Sequence, residues 1–179
     1  SGHQKLFKES QKYKKKFKLK LGVLTFNPMP KMFFNKKLKN FRISNFDQKT
    51  ELLNKFRVDF VITKKFDKKF SRTKAFNFIK EVLNKKLNSR FIFVSNNFRF
   101  GNKREGNVKL LIQYEKTYNY KVVKPKPFIM NKKIVSSSLI RNLLERGHLE
   151  KANKFLSRNW TIQGIVKKGR QLGKKIGFP

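Results

Sequence analysis

The chain of 179 residues has no cysteine, so disulfides and thiolate chemistry are excluded. It holds only two histidines and ten carboxylates against 46 Lys and Arg. The carboxylates are scattered, and no Asp/Glu/His spacing builds a dedicated metal cage, so no resident metal site is predicted. No uninterrupted apolar run is long enough to span a bilayer and no signal peptide is visible, so no membrane role is predicted. The missing thiols fit a reducing cytoplasm.

What is plentiful is positive charge and phenylalanine. A net charge of +36 points bluntly to nucleic acid or an anionic surface. The lysines, however, run along the whole chain and come with many Asn, Phe and Ile. All four residue types have AT-rich codons, so genome bias accounts for the charge as readily as selection for polyanions does. Nonspecific polyanion binding is expected either way. The 20 Phe supply enough buried area for a real core.

Helix and strand patterns alternate. Residues 4–16, 47–56, 74–87, 108–118 and 149–156 have helical spacing, whereas 19–26, 58–63, 91–95 and 120–124 read as short apolar strands. This order predicts an α/β fold: an open, mostly parallel sheet with helices on both faces. In such sheets ligands sit beyond the carboxyl ends of the strands. Three polar segments fall there: Phe26-Asn27-Pro28-Met29-Pro30, Ser95-Asn96-Asn97-Phe98-Arg99-Phe100-Gly101, and the run Ser136-Ser137-Ser138.

The serine run opens an amphipathic helix with Leu139, Ile140, Leu143 and Leu144 on one face. Ser137 or Ser138 suits the N-cap, and Arg141 projects near the same end. Exposed backbone N–H groups, a positive dipole, hydroxyls and a guanidinium together suit a polyphosphate. The plainer reading is an ordinary capped helix whose Arg141 pairs with Glu145.

Four segments in order resemble one family. Gly2-His3-Gln4 is similar to the end of the His-x-Gly-His signature of adenylyltransferases, although Ser1-Gly2-His3 also has the form of a tag-cleavage scar. Thr25-Phe26-Asn27-Pro28-Met29-Pro30 resembles Thr-Phe-x-Pro-x-Pro, and Asn97-Phe98-Arg99-Phe100-Gly101 resembles Asp/Asn-Phe-x-Phe-Gly. Val135-Ser136-Ser137-Ser138-Leu139-Ile140-Arg141 is similar to Ile-Ser-Ser-Thr-x-Ile-Arg. The family is the bacterial bifunctional riboflavin kinase/FMN adenylyltransferase, or FAD synthetase. Gly169, Gly173, Gly177, Phe178 and Pro179 resemble the opening of its riboflavin kinase β-barrel, with Thr161–Val166 as the first strand.

The resemblance implies a Rossmann-like nucleotidyltransferase domain over 1–157 and the start of a truncated barrel domain over 158–179. It implies transfer of AMP from ATP to FMN, giving FAD and pyrophosphate, with Mg²⁺ arriving on ATP and riboflavin phosphorylated by the later domain. His3 and Arg141 would be catalytic; Gly2, His3, Ser136, Ser137, Ser138 and Arg141 would bind ATP; Pro28, Met29 and Asn97 would face FMN. Met29 departs from the polar residue frequent in the family. Phe98 and Phe100 read as core residues, with Arg99 opposite; Arg104 and His148 read as surface. A glycine-rich turn, a further histidine and a central strand would precede Ser1, so these residues alone are expected to be weakly active or inactive. The competing classes are a basic RNA-binding or ribosome-associated protein without catalysis, and a nucleotidyltransferase acting on another acceptor.

Overall fold

The structure, a computed structural model, describes residues 2–38, 42–130, 133–166, 169 and 172–178. Chain order gives α1 (Gly2–Phe17), β1 (Gly22–Asn27), α2 (Pro30–Phe34), α3 (Phe46–Lys55), β2 (Phe60–Lys65) and α4 (Lys68–Ser71). Next come α5 (Ala75–Asn77), continued by wider π-helical turns over Phe78–Lys86, then β3 (Phe91–Phe93), β4 (Arg99–Phe100), β5 (Gly106–Asn107) and α6 (Val108–Gln113). The rest is β6 (Lys121–Val123), β7 (Ile129–Met130), β8 (Lys133–Ile134), α7 (Ser137–Glu145), α8 (Leu149–Leu156) and α9 (Leu172–Lys175).

The α/β class holds, with helices and short parallel strands alternating. β1 pairs with β2 in parallel, Val23 opposite Val61, and β3 pairs with β6 in parallel, Ile92 opposite Val122. Two short antiparallel ribbons, β4–β5 and β7–β8, complete the described pairings. No described ladder joins β1 to β3, so the parallel sheet stands as two pairs where the sequence predicts one. A shared core ties them. Leu24 and Phe26 of β1 pack against a cluster built from Phe78, Ile79, Ile92, Phe100, Leu111 and Tyr120. On β3, Tyr13 and Phe17 of α1 cover Phe91 with ring centroids at 4.9 and 4.7 Å.

Two glycines explain how β4 and β5 reach this core. Gly101 has φ +76°, and a Cβ there would come within 2.7 Å of the Ala75 backbone. A Cβ on Gly106 would strike the Ala75 methyl and the Phe100 ring at 2.8 Å. The Glu105 carboxylate then accepts from the Ala75 N–H at 2.6 Å, so the ribbon caps the start of α5.

Several expectations need correction. The helix expected to run to residue 118 stops at Gln113, because Tyr120 folds back and donates its hydroxyl to the Leu111 carbonyl at 2.6 Å. The helix expected over 74–87 forms but is wound wide from Phe78 onward, with Phe78, Ile79 and Leu83 buried. Thr161–Val166 forms no strand: side chains of α3 and its cap take its polar groups, Gln48 donating to the Thr161 carbonyl at 3.0 Å and Asn45 to Gln163 at 3.2 Å. Ile162, Ile165 and Val166 stay exposed, and no barrel forms among the described residues. Residues 149–156 form the expected helix.

Candidate functional site

The helix start at the serine run is accessible. Ser136, not Ser137 or Ser138, is the N-cap: its backbone is extended (φ −126°, ψ 157°) and its hydroxyl accepts from the Leu139 N–H at 3.2 Å. That shift leaves Ser137 and Ser138 in the first turn of α7, with Ser136 and Ser138 exposed and Ser137 half-buried. Ile140 is buried with Val135 and Leu156, and Ile43, Phe128, Met130, Leu144 and Trp160 pack around them. The apolar face therefore anchors the helix while its polar start faces outward.

Arg141 is half-buried one turn into α7. Burial draws its pKa below the ordinary guanidinium value, and Glu145 opposes that shift. It stays a cation at any working pH. Glu145 lies one turn beyond Arg141 on the same helix.

Gly2 and His3 occupy the first turn of α1, and their side chains lie outside what is described. One residue on, Gln4 donates to the Leu156 carbonyl at 3.3 Å, which sets the start of α1 against the end of α8. Since α8 shares its core with α7, the start of α1 and the α7–α8 hairpin belong to one neighbourhood.

Pro28 is exposed and Met29 half-buried at the carboxyl end of β1, where Met29 caps α2 through its carbonyl, accepting from Met32 at 2.8 Å. The Asn27–Pro28 peptide is cis. Asn97 is exposed in the loop after β3; its side-chain oxygen accepts from the Ser95 hydroxyl at 2.9 Å. Both loops lie at carboxyl ends of parallel strands. Phe98 and Phe100 stack at 5.4 Å against the core, whereas Arg99, Arg104 and His148 are exposed, as expected.

No sequence motif marks Arg42 or Lys49, yet both reach the Thr-Phe-Asn-Pro segment. Lys49 of α3 donates to the Thr25 hydroxyl and Arg42 to the Asn27 side-chain oxygen. The usable signal was the capping box of Asn45 and Gln48, which fixes where α3 begins and so places Lys49 in its first turns.

In the tail, Gly169 has open space around it, Gly173 lies in α9, Gly177 has φ +84° and Phe178 is 66% exposed. Pro179 lies outside the described residues. Among the described residues, no three His, Cys, Asp or Glu side chains gather where a metal ion could be held. No described helix is long and apolar enough to cross a membrane. A cavity of about 520 Å³ lined by Asn84, Asn88, Arg90, Tyr118 and Asn119 opens at the amino ends of β3 and β6, the opposite end from these loops.

The model of a family described as FAD synthetase matches residues 1–139. The chain belongs to the FAD synthetase family. The match takes in Gly2, His3, the loops after β1 and β3 and the serine run, and it ends at Leu139, just short of Arg141. The chain is 36% identical over 179 residues to a bifunctional riboflavin kinase/FMN adenylyltransferase of Buchnera aphidicola subsp. Schizaphis graminum, covering 99% of this chain and 57% of that protein. A protein of the same description in Escherichia coli strain K12 is 32% identical over 178 residues, with 99% of this chain and 57% of that protein covered. The chain thus spans just over half the length of these curated relatives. A solved structure named as a macrolide-efflux protein from Streptococcus pneumoniae superposes with a TM-score of 0.84 at 26% identity, covering 99% of this chain and 58% of that one. FAD synthetase family membership and this backbone likeness agree on the nucleotidyltransferase-type α/β fold.

Proposed function

We propose that this chain supplies the ATP- and FMN-binding part of an FMN adenylyltransferase, which makes FAD and pyrophosphate from ATP and FMN, and that these residues alone are weakly active or inactive. The observation that carries the reading is the open start of α7, where Ser136 caps the helix, Ser137 and Ser138 stand in its first turn, and Arg141 is half-buried one turn on. Unpaired N–H groups, hydroxyls and a forked cation suit the β- and γ-phosphates and then the leaving pyrophosphate. Family membership favours this reading over a noncatalytic RNA-binding protein.

In the proposed reaction an oxygen of the FMN phosphate attacks the α-phosphorus of ATP. The bond from that phosphorus to the bridging oxygen of the β-phosphate breaks, and pyrophosphate leaves. No protein nucleophile takes part, so the residues act by positioning and by neutralising charge on the phosphoryl oxygens. His3 would donate to an α-phosphate oxygen, with Gly2 allowing close backbone approach. Mg²⁺ would enter bound to ATP, sharing that neutralisation. Pro28, Met29 and Asn97 would border the flavin.

Residues 1–157 would form the adenylyltransferase unit and 158–179 the opening of a riboflavin kinase domain, and a protein carrying that domain in full would also phosphorylate riboflavin. The cytoplasm, which holds ATP and flavins, is the proposed location. Calorimetric titration with Mg²⁺-ATP tests the reading. Saturable binding should weaken about tenfold or more in Arg141→Gln and less in Ser137→Ala. Binding that ignores both changes and only falls steeply with salt would leave general polyanion attraction as the explanation.

A further inference from the structure

Thr25 and Asn27 lie two residues apart in β1, so their side chains point to the same face of the strand, opposite to Leu24 and Phe26 in the core. Two cations sit over that polar face: Lys49 on the Thr25 hydroxyl and Arg42 on the Asn27 oxygen. Burial first, and then the neighbouring Arg42 charge, lower the pKa of Lys49. Both acceptors are neutral, and neither cation takes part in any ion pair found among the described residues. Two like charges held side by side, one partly desolvated, repel each other without a counter-charge.

The frame that holds them is well tied. Arg158 donates to the Ser44 hydroxyl at 2.8 Å, and the Trp160 indole donates to the Ile43 carbonyl at 2.9 Å. The Asn45–Gln48 capping box and the Gln48–Thr161 bonds fix the helix start beside them. Ile43 packs in the cluster containing Val135 and Ile140, so this segment is also next to the start of α7.

We propose that Arg42 and Lys49 form a subsite for a phosphate monoester, namely the terminal phosphate of the flavin acceptor. The assignment rests on the adenylyltransferase reading and adds the group that receives AMP. The subsite lies between the Asn27–Met29 loop proposed for the flavin and the helix start proposed for the triphosphate, where an attacking phosphate oxygen must stand. A guanidinium fork with an ammonium beside it matches a dianionic phosphate in charge and donor count.

Paired titrations with FMN and riboflavin isolate the phosphate, because the two flavins differ only there. The unaltered protein should bind FMN at least about tenfold more tightly, and Lys49→Met or Arg42→Gln should each remove most of that preference while riboflavin affinity stays put. Lys49→Arg should retain it. Thermal melts of each variant accompany the titrations, and unchanged midpoints are expected. No FMN preference in the unaltered protein, no detectable FMN binding, or equal loss of both flavins would overturn the subsite. A Mg²⁺-ATP arm separates the two readings. ATP affinity lost in the Lys49 and Arg42 variants with FMN unaffected moves the cations to the nucleotide and overturns the assignment. ATP binding indifferent to Arg141→Gln defeats the adenylyltransferase reading while the flavin arm still reports on the cations.

Discussion

Ile79 and Ile165 are the same side chain in opposite surroundings. Ile79 is 0% exposed among Phe78, Leu83, Ile92, Leu111 and Tyr120, whereas Ile165 is 87% exposed in a segment with no strand partner among the described residues. Around Ile79, helix turns and strands converge from several elements, so each apolar side chain finds a place that no single element makes. Along 161–178, Ile162, Val166, Leu172, Ile176 and Phe178 are equally apolar and all exposed. Apolar content sets what a segment stands to gain by burial; the partners decide whether it gains it.

The sharpest way to break that contrast is to truncate both isoleucines. Ile79→Ala should cost about 3–4 kcal/mol in urea-induced unfolding, and Ile165→Ala less than about 0.5 kcal/mol. Equal effects would mean that 161–178 packs against something in solution. The next largest effect belongs to the ribbon that closes the packed region. Gly101→Ala places a methyl at φ +76° and within 2.7 Å of the Ala75 backbone, so a loss of about 2–3 kcal/mol is expected. A loss below 0.5 kcal/mol would show that the ribbon yields easily and is not part of the core.

Asn45→Ala probes the border between the two regions. Asn45 caps α3 and also reaches Gln163 in the exposed tail. Loss of the capping box should cost about 1 kcal/mol. Because Gln48 still donates to Thr161 and Arg158 to Ser44, the segment keeps two other ties, and helix content from circular dichroism should stay unchanged.

The same contrast explains which features were legible in the sequence. Leu149–Leu156 was readable because its apolar spacing and its position after Gly147 are local properties. The motif Phe98-x-Phe100-Gly101 was readable as core, but its glycine's reason, close approach to Ala75, needs tertiary contact. Three consecutive serines offer identical hydroxyls, so only backbone conformation selects Ser136 as the cap. Thr161–Val166 has the composition of a strand but pairs with no strand among the described residues. Lys49 and Arg42 look like surface cations in a lysine-rich chain until β1 is brought beneath them. The chemistry of the candidate site was therefore visible where one segment carries it, and hidden where two segments must meet.

Asp59 offers the smallest effect and the most specific one, because its signature is a pH dependence. It joins two elements at the edge of the packed region: its carboxylate accepts from the Lys14 ammonium of α1 at 2.6 Å and from the Leu21 N–H just before β1 at 2.6 Å. The Lys14 bond first, then the Leu21 bond, hold its pKa below the ordinary 3.8. A carboxyl group depressed on folding stabilises the native state above its unfolded pKa, and that stabilisation is lost as pH falls through the folded value. Asp59→Asn should therefore cost about 0.5–1 kcal/mol at pH 7, a modest amount because the pair is accessible to water and salt. The gap between the two proteins should hold down to about pH 5 and close below 3.8, since a protonated Asp59 resembles the amide. Stability curves that stay parallel down to pH 3 would show that neither bond carries charge-dependent energy. That would leave α1 held at this edge by contacts that do not depend on the Asp59 charge: Tyr13 and Phe17 on β3, Phe7 stacked on Phe56 at 5.1 Å, and the Gln11 and Lys14 bonds to the Phe56 and Arg57 carbonyls.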